Sequence, residues 1–110
     1  MTGTPLHRAK ADLFRTLGHP VRVRVLEMLL EGPRPVHELL ADIEVEPSNL
    51  SQQLAVLRRA GLVGSSRDGT TVTYTLSSPD VAEMMAAARS VLTNVISGQQ
   101  SLLADLQAET

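Results

Sequence analysis

The spacing of apolar residues along this chain changes from a helical to an alternating pattern after Gly61, and that change restricts the folds open to it. Up to Gly61 the apolar residues recur every three or four positions, which is the period of an amphipathic helix. Residues 71–76 instead alternate polar and apolar side chains, as half-buried strands do, and residues 62–67 can pair with them across a turn at Asp68 and Gly69. The pattern predicts a mainly α fold with a small β-hairpin, in a single domain of 110 residues.

Proline and glycine residues divide the helical part into four segments, and a fifth helix follows the hairpin. Gly18 ends the first helix, and Pro20 and Pro47 stand at first helical positions, where a missing N–H costs nothing. The expected helices cover residues 6–17, 20–31, about 36–41, 47–60 and 80–106. Gly98 is the position at which the last of them would break or bend.

The segment 36–60 has the pattern of a helix-turn-helix motif whose second helix carries two different faces. Leu50, Leu54 and Leu57 form a core stripe, whereas the opposite face holds short polar residues first and arginines last. An α-helix fits the major groove of B-DNA, where such side chains can bond base edges and phosphates. The residues expected to contact DNA are Ser48, Asn49, Ser51, Gln52, Gln53, Arg58 and Arg59 on the helix, with Arg67 and Thr70 on the hairpin. The same polar face would also suit an ordinary amphipathic helix in solvent.

Three motifs between Leu13 and Leu76 favour the DNA-binding interpretation. They are Leu-Gly-x-Pro-x-Arg-x-x-x-Leu at 17–26, Leu-x-x-Leu-Arg-x-Ala-Gly-Leu-Val at 54–63 and Gly-x-x-x-x-Tyr at 69–74. In this order they resemble the ArsR family of bacterial winged helix-turn-helix regulators. The resemblance implies an ααααββα homodimer joined through its first and last helices, with the fourth helix in the major groove of a palindromic operator and residues 62–76 as the wing. It also implies a transcriptional regulator, in this family mainly a repressor released by a metal or another inducer.

The metal sites that the resemblance implies are not matched by this sequence. Where the family's third helix carries a pair of cysteines, this chain has Pro35 and His37, and its last helix has no histidine. One alternative stays open: His37 could join His7 of the partner subunit, with Glu38 or Asp12, in a nickel or zinc site. Histidines scattered in this way are more often unligated, so no metal and no cofactor are expected.

Composition narrows the function further. The chain has no cysteine, which excludes disulfides and thiolate chemistry, and its aromatic content of 2% argues against recognition of single-stranded nucleic acid by stacking. It has no nucleophile elbow, no phosphate-binding glycine loop and no histidine cluster, so an enzyme is not expected. No apolar run is long enough for a signal peptide or a membrane span. A cytoplasmic protein without membrane contact is expected.

The formal net charge of -2 is low for a DNA-binding protein, but it is unevenly distributed. Residues 80–110 hold one arginine against two aspartates and two glutamates, a balance of -3, which leaves residues 1–79 at +1. A domain with so little positive charge needs two subunits to bind DNA tightly, which favours a homodimer. The acidity also leaves open an alternative, a winged-helix interaction module or co-regulator that binds another protein and not DNA.

Two local features have a second interpretation. Met84 and Met85 could line a pocket for a hydrophobic ligand, but their helical spacing is also what a dimer seam requires, and the seam is favoured. Arg24 could belong to a basic patch, but Glu27 lies three residues later, and an intrahelical pair is expected to occupy it.

Overall fold

The computed structural model describes residues 3–109, and these form five helices and three strands. The elements in chain order are α1 Leu6–Leu17, α2 Pro20–Leu29, β1 Arg34–Pro35, α3 Val36–Asp42, α4 Pro47–Arg59, β2 Val63–Asp68, β3 Thr71–Leu76 and α5 Pro79–Ala108. The predicted class, a winged helix-turn-helix with α3 and α4 followed by a hairpin wing, is confirmed. All five predicted helices are present, with α2 ending two residues earlier than expected.

The helix ends follow from local chemistry. His19 caps α2 by accepting a hydrogen bond at Nδ1 from the backbone N–H of Val21, 3.2 Å away, and Pro20 occupies the first helical position. Gly61 follows α4 with φ +78°, a backbone conformation that side chains with a Cβ rarely adopt. These ends fix the angles at which α2 and α4 enter the core.

The sheet has one strand more than the sequence predicted. It runs in the order β1-β3-β2, all antiparallel, and β1 pairs Arg34 with Tyr74 and Pro35 with Thr73. A two-residue strand containing proline has no detectable alternation, and proline is tolerated there because β1 lies at the sheet edge. This strand ties the start of α3 to the wing.

The turn of the wing lies one residue further along than predicted. Asp68 pairs with Thr71, so Gly69 and Thr70 form the loop in place of Asp68 and Gly69. Of these two loop residues only Gly69 has positive φ, at +62°, which corresponds to a type II′ turn with glycine first. Thr70 is therefore at the tip of the wing.

The core lies between α2, α3, α4 and the base of the wing. Its side chains are aliphatic, as the lack of aromatic residues requires, and the largest are completely enclosed. The buried apolar residues are Val25, Leu26, Met28, Leu29, Leu39, Ile43, Leu50, Leu54, Leu57, Leu62, Val63 and Val81. Core packing therefore fixes α4 relative to the other helices, and this determines which side of α4 faces solvent.

Helices α1 and α5 contribute little to this core and expose apolar side chains instead. No residue of α1 is buried, and in the 30 residues of α5 only Val81 is. Phe14 and Leu92 expose 64% and 61% of their surface. Helix α5 continues through Gly98 without a break, so the predicted break at this residue is wrong. Met84 and Met85 are half-buried and pack against the core, and Met85 also lines a groove between α2 and α5.

Candidate nucleic-acid interface

The burial of one side of α4 fixes what its other side presents. Leu50 and Leu57 are completely buried, so the opposite face of the helix points away from the protein. That face carries Ser48, Ser51 and Gln52, all exposed, at the N-terminal end. Asn49 is half-buried at the edge of the same turn. The arrangement gives an uncovered helix with short hydrogen-bonding groups where a recognition helix contacts base edges.

The expectation that Gln53 contacts DNA does not fit its position. Only 8% of Gln53 is exposed, because it lies between the leucines of the core stripe rather than opposite them. Its Oε1 accepts a hydrogen bond from Arg22 Nε at 2.8 Å, and its Nε2 donates to Asn49 Oδ1 at 2.9 Å. Both ends of its amide are thus satisfied inside the protein, and we exclude Gln53 from the interface.

Three arginines outside α4 and the wing form ion pairs. Arg15 pairs with Asp12 at 2.6 Å and Arg24 with Asp42 at 2.7 Å, while Arg34 pairs with two glutamates. The predicted pair of Arg24 with Glu27 exists, but at 3.7 Å it is the longer of the two contacts. The arginines of α4 and the wing form no ion pair with any acidic group in residues 3–109. These unpaired arginines are Arg58, Arg59 and Arg67.

The strand register places the wing beside the C-terminal half of α4. Ser65 and Arg67 lie opposite Tyr74 and Val72, and alternate residues of a strand share a face, so both lie on the face that carries Val63 into the core. Arg58 of α4 donates a weak hydrogen bond from Nη1 to Ser65 Oγ at 3.4 Å. Arg58, Arg67 and the tip residue Thr70 therefore lie along one exposed edge.

The residues of the alternative metal site do not come together within the chain. No three histidine, aspartate or glutamate side chains between residues 3 and 109 are arranged to hold a metal ion. Asp12 and Glu38 are engaged by Arg15 and Arg34. His37 is exposed at the mouth of a groove between α3, α4 and the wing, and His7 is exposed on α1.

An uncovered polar recognition helix with an adjoining hairpin wing is the arrangement of a winged-helix DNA-binding protein. Comparison with known proteins gives the family. Residues 19–65 match the model described as "Bacterial regulatory protein, arsR family", and this span contains α2 to α4 and the start of the wing. The chain belongs to the ArsR family, and it is a DNA-binding transcriptional regulator.

Individual relatives agree with this assignment along nearly the whole chain. The uncharacterized HTH-type transcriptional regulator Rv0081 of Mycobacterium tuberculosis is 51% identical over 109 residues, covering 98% of this chain and 96% of the relative. Its crystal structure has a TM-score of 0.83 at 52% identity, covering 88% of this chain and 98% of that one. The transcriptional activator HlyU of Vibrio cholerae is 42% identical over 73 residues, covering 66% of this chain and 68% of the relative.

A solved relative also bears on assembly. The solution structure of Mb0332 from Mycobacterium bovis is described as a homodimeric winged helix-turn-helix DNA-binding domain. It has a TM-score of 0.75 at 26% identity and covers 87% of this chain and 94% of that one.

None of the helices within residues 3–109 combines the length and the apolar content needed to cross a membrane.

Proposed function

We propose that the chain works as one winged helix-turn-helix domain that binds a palindromic operator as a homodimer. The observation that carries this proposal is the surface formed by α4 and the wing, which is uncovered and has unpaired arginines at one end and small polar groups at the other. Base edges would be contacted by Ser48, Asn49, Ser51 and Gln52, and phosphates by Arg58, Arg59, Arg67 and Thr70. Helix α4 then lies in the major groove, and the wing follows the adjacent backbone.

The dimer is supported by the apolar faces of α1 and α5. On α5, apolar side chains recur at alternating steps of three and four, which is the spacing of a helix–helix seam. The residues at this spacing are Met85, Ala88, Leu92, Val95, Leu102 and Leu106, with Gln99 as the one polar member. Single chains rarely expose a stripe of this length, and the homodimeric Mb0332 domain shows that this fold pairs. Two recognition helices about 34 Å apart would match successive major grooves.

We propose repression as the direction of regulation, with the dimer excluding polymerase where its operator overlaps a promoter. HlyU is named an activator, so the position of the operator would decide the effect for each gene. The co-regulator alternative is disfavoured by the charges on this surface. An interaction module that does not bind DNA would not need three unpaired arginines on α4 and the wing, or a helix α4 without acidic residues.

Binding to duplexes selected from a randomised pool tests the proposal. Gln52→Ala should relax base preference at one position of each half-site, since a good base contact contributes roughly 1 to 3 kcal/mol of discrimination. Arg67→Ala should weaken all sequences alike, because phosphates are the same at every base pair. If the wild-type protein enriches no sequence, or if both variants bind like the wild type, the assigned surface is wrong.

A further inference from the structure

A chain of hydrogen bonds runs from the end of α1 through the protein to the recognition helix. Arg22 on α2 donates from Nη1 to the carbonyl oxygen of Thr16 at 3.3 Å and from Nε to Gln53 Oε1 at 2.8 Å. Gln53 then donates from Nε2 to Asn49 Oδ1 at 2.9 Å. Arg22 and Asn49 are half-buried and Gln53 is buried, so water does not freely replace these bonds.

The first member of this chain determines the orientation of the others. A guanidinium group has only donors, so the atom of Gln53 that faces Arg22 must be the carbonyl oxygen. The NH₂ group of Gln53 therefore faces Asn49, and Asn49 must turn its own carbonyl oxygen toward it. Asn49 Nδ2 is left pointing away from this network, and no group within residues 3–109 accepts a hydrogen bond from it.

We infer that Arg22 and Gln53 hold Asn49 as a hydrogen-bond donor toward DNA, so that Asn49 selects a base that presents an acceptor in the major groove. Guanine O6 and N7, thymine O4 and adenine N7 are such acceptors, whereas cytosine presents only a donor. The usual pairing of asparagine with adenine needs the amide oxygen and nitrogen to face the base together, but the oxygen of Asn49 is turned toward Gln53. This inference rests on the proposed function, since it assumes that the first turn of α4 enters the groove.

Gln53 and Arg22 are in this scheme positioning residues that never touch DNA. In Gln53→Glu the carboxylate keeps its bond to Arg22 but offers only an acceptor to Asn49. Asn49 must then rotate its NH₂ group inward and present its oxygen to the groove. Asn49→Asp gives the same outward polarity directly, because one carboxylate oxygen accepts from Gln53 and the other faces DNA. Both variants are expected to prefer adenine or cytosine, whose amino groups are donors, at the position that Asn49 contacts.

The test is selection from a randomised duplex pool with the full-length chain, followed by affinity measurements on every single-base substitution of the selected site. Asn49→Ala first identifies the position that Asn49 contacts. At that position the wild-type protein should favour guanine or thymine by about threefold to tenfold over cytosine on the same strand, as one hydrogen bond gives. Gln53→Glu and Asn49→Asp should both reverse this preference. Gln100→Glu is the matched control, because it makes the same substitution at an exposed site on α5, outside the surface formed by α4 and the wing.

The outcomes separate this inference from the proposed function. If the wild type enriches no motif, the proposed function fails. If it enriches one, the inference is overturned by a preference for cytosine at the Asn49 position, by loss of affinity in Asn49→Ala that is equal for all sequences, or by an unchanged base preference in Asn49→Asp. Asn49 is half-buried, so Asn49→Asp should fold even if a carboxylate at position 53 does not, and a thermal melt of each variant checks this.

Discussion

The salt dependence of DNA binding should report directly on the unpaired arginines. A dimer with Arg58, Arg59 and Arg67 in each subunit brings six guanidinium groups to the phosphates, and each contact releases counterions. At about 0.9 per contact, the slope of log K against log salt should be about −5, which is a loss of roughly 10³-fold in affinity between about 50 and about 200 mM salt. Arg67→Ala removes two contacts per dimer, so the slope should fall to about −3.5 and the loss to roughly 10²-fold.

The assay is fluorescence anisotropy of a labelled duplex across a salt series, with Arg24→Ala as the matched control. Arg24 carries the same charge, but it is bonded to Asp42 at 2.7 Å and lies outside α4 and the wing, so its loss should leave the slope unchanged. The reasoning is refuted if Arg67→Ala and Arg24→Ala change the slope equally. It is also refuted if the wild-type slope corresponds to one or two contacts in total.

Four further measurements address the rest of the molecule. Leu92→Asp should leave the monomer folded, because Leu92 is 61% exposed, but should convert a dimer into a species of 11.8 kDa in analytical ultracentrifugation; a variant that stays dimeric would contradict the seam. Gly98→Ala should stabilise the fold by about 0.5 to 1 kcal/mol in urea unfolding, since a Cβ at this helical site has nothing within 4 Å; destabilisation would indicate close packing there. His19→Ala should cost about 1 kcal/mol by removing the cap on α2, and His19→Asp, which can accept from the same N–H, should restore it; equal losses would contradict the capping role. Nickel, zinc, cobalt or a chelator should leave DNA affinity unchanged, because Asp12 and Glu38 are engaged by arginines, and an effect of one metal would support a site shared between subunits.

The elements that could be predicted from the sequence are those with a strong local signal. Helices bounded by proline and glycine, and a strand with strict alternation such as 71–76, were placed to within a few residues. Strand β1 was missed because two residues carry no period, and its existence depends on pairing with β3 from a distant part of the chain. The wing turn was displaced by one residue, because Asp68-Gly69 and Gly69-Thr70 are both acceptable turn sequences and only the strand register decides between them.

The interpretation of Gln53 shows a different limit. Gln53 lies three residues after Leu50 and four before Leu57, so its spacing alone places it on the core side of α4. Its polarity suggested DNA instead, because buried polar residues need a partner and the sequence does not show one. The partner is Arg22, 31 positions earlier in the chain. Such a pair becomes visible only when α2 and α4 are packed together.

The charge of the chain explains why the surface formed by α4 and the wing and the apolar faces of α1 and α5 serve one function. Its net charge of -2 gives no long-range attraction to DNA, and none of the acidic groups that produce it is on α4. Three arginines in one subunit would give a salt slope of only about −3, too shallow for tight binding at physiological salt. Pairing through α1 and α5 doubles the contacts, and it also fixes the distance between the two recognition helices.

A substitution at the α5 seam should therefore weaken DNA binding even though it lies far from α4, and it should make the remaining salt slope half that of the dimer. If a monomeric variant kept the full slope, one subunit would be making all the contacts and the dimer would not be needed for binding.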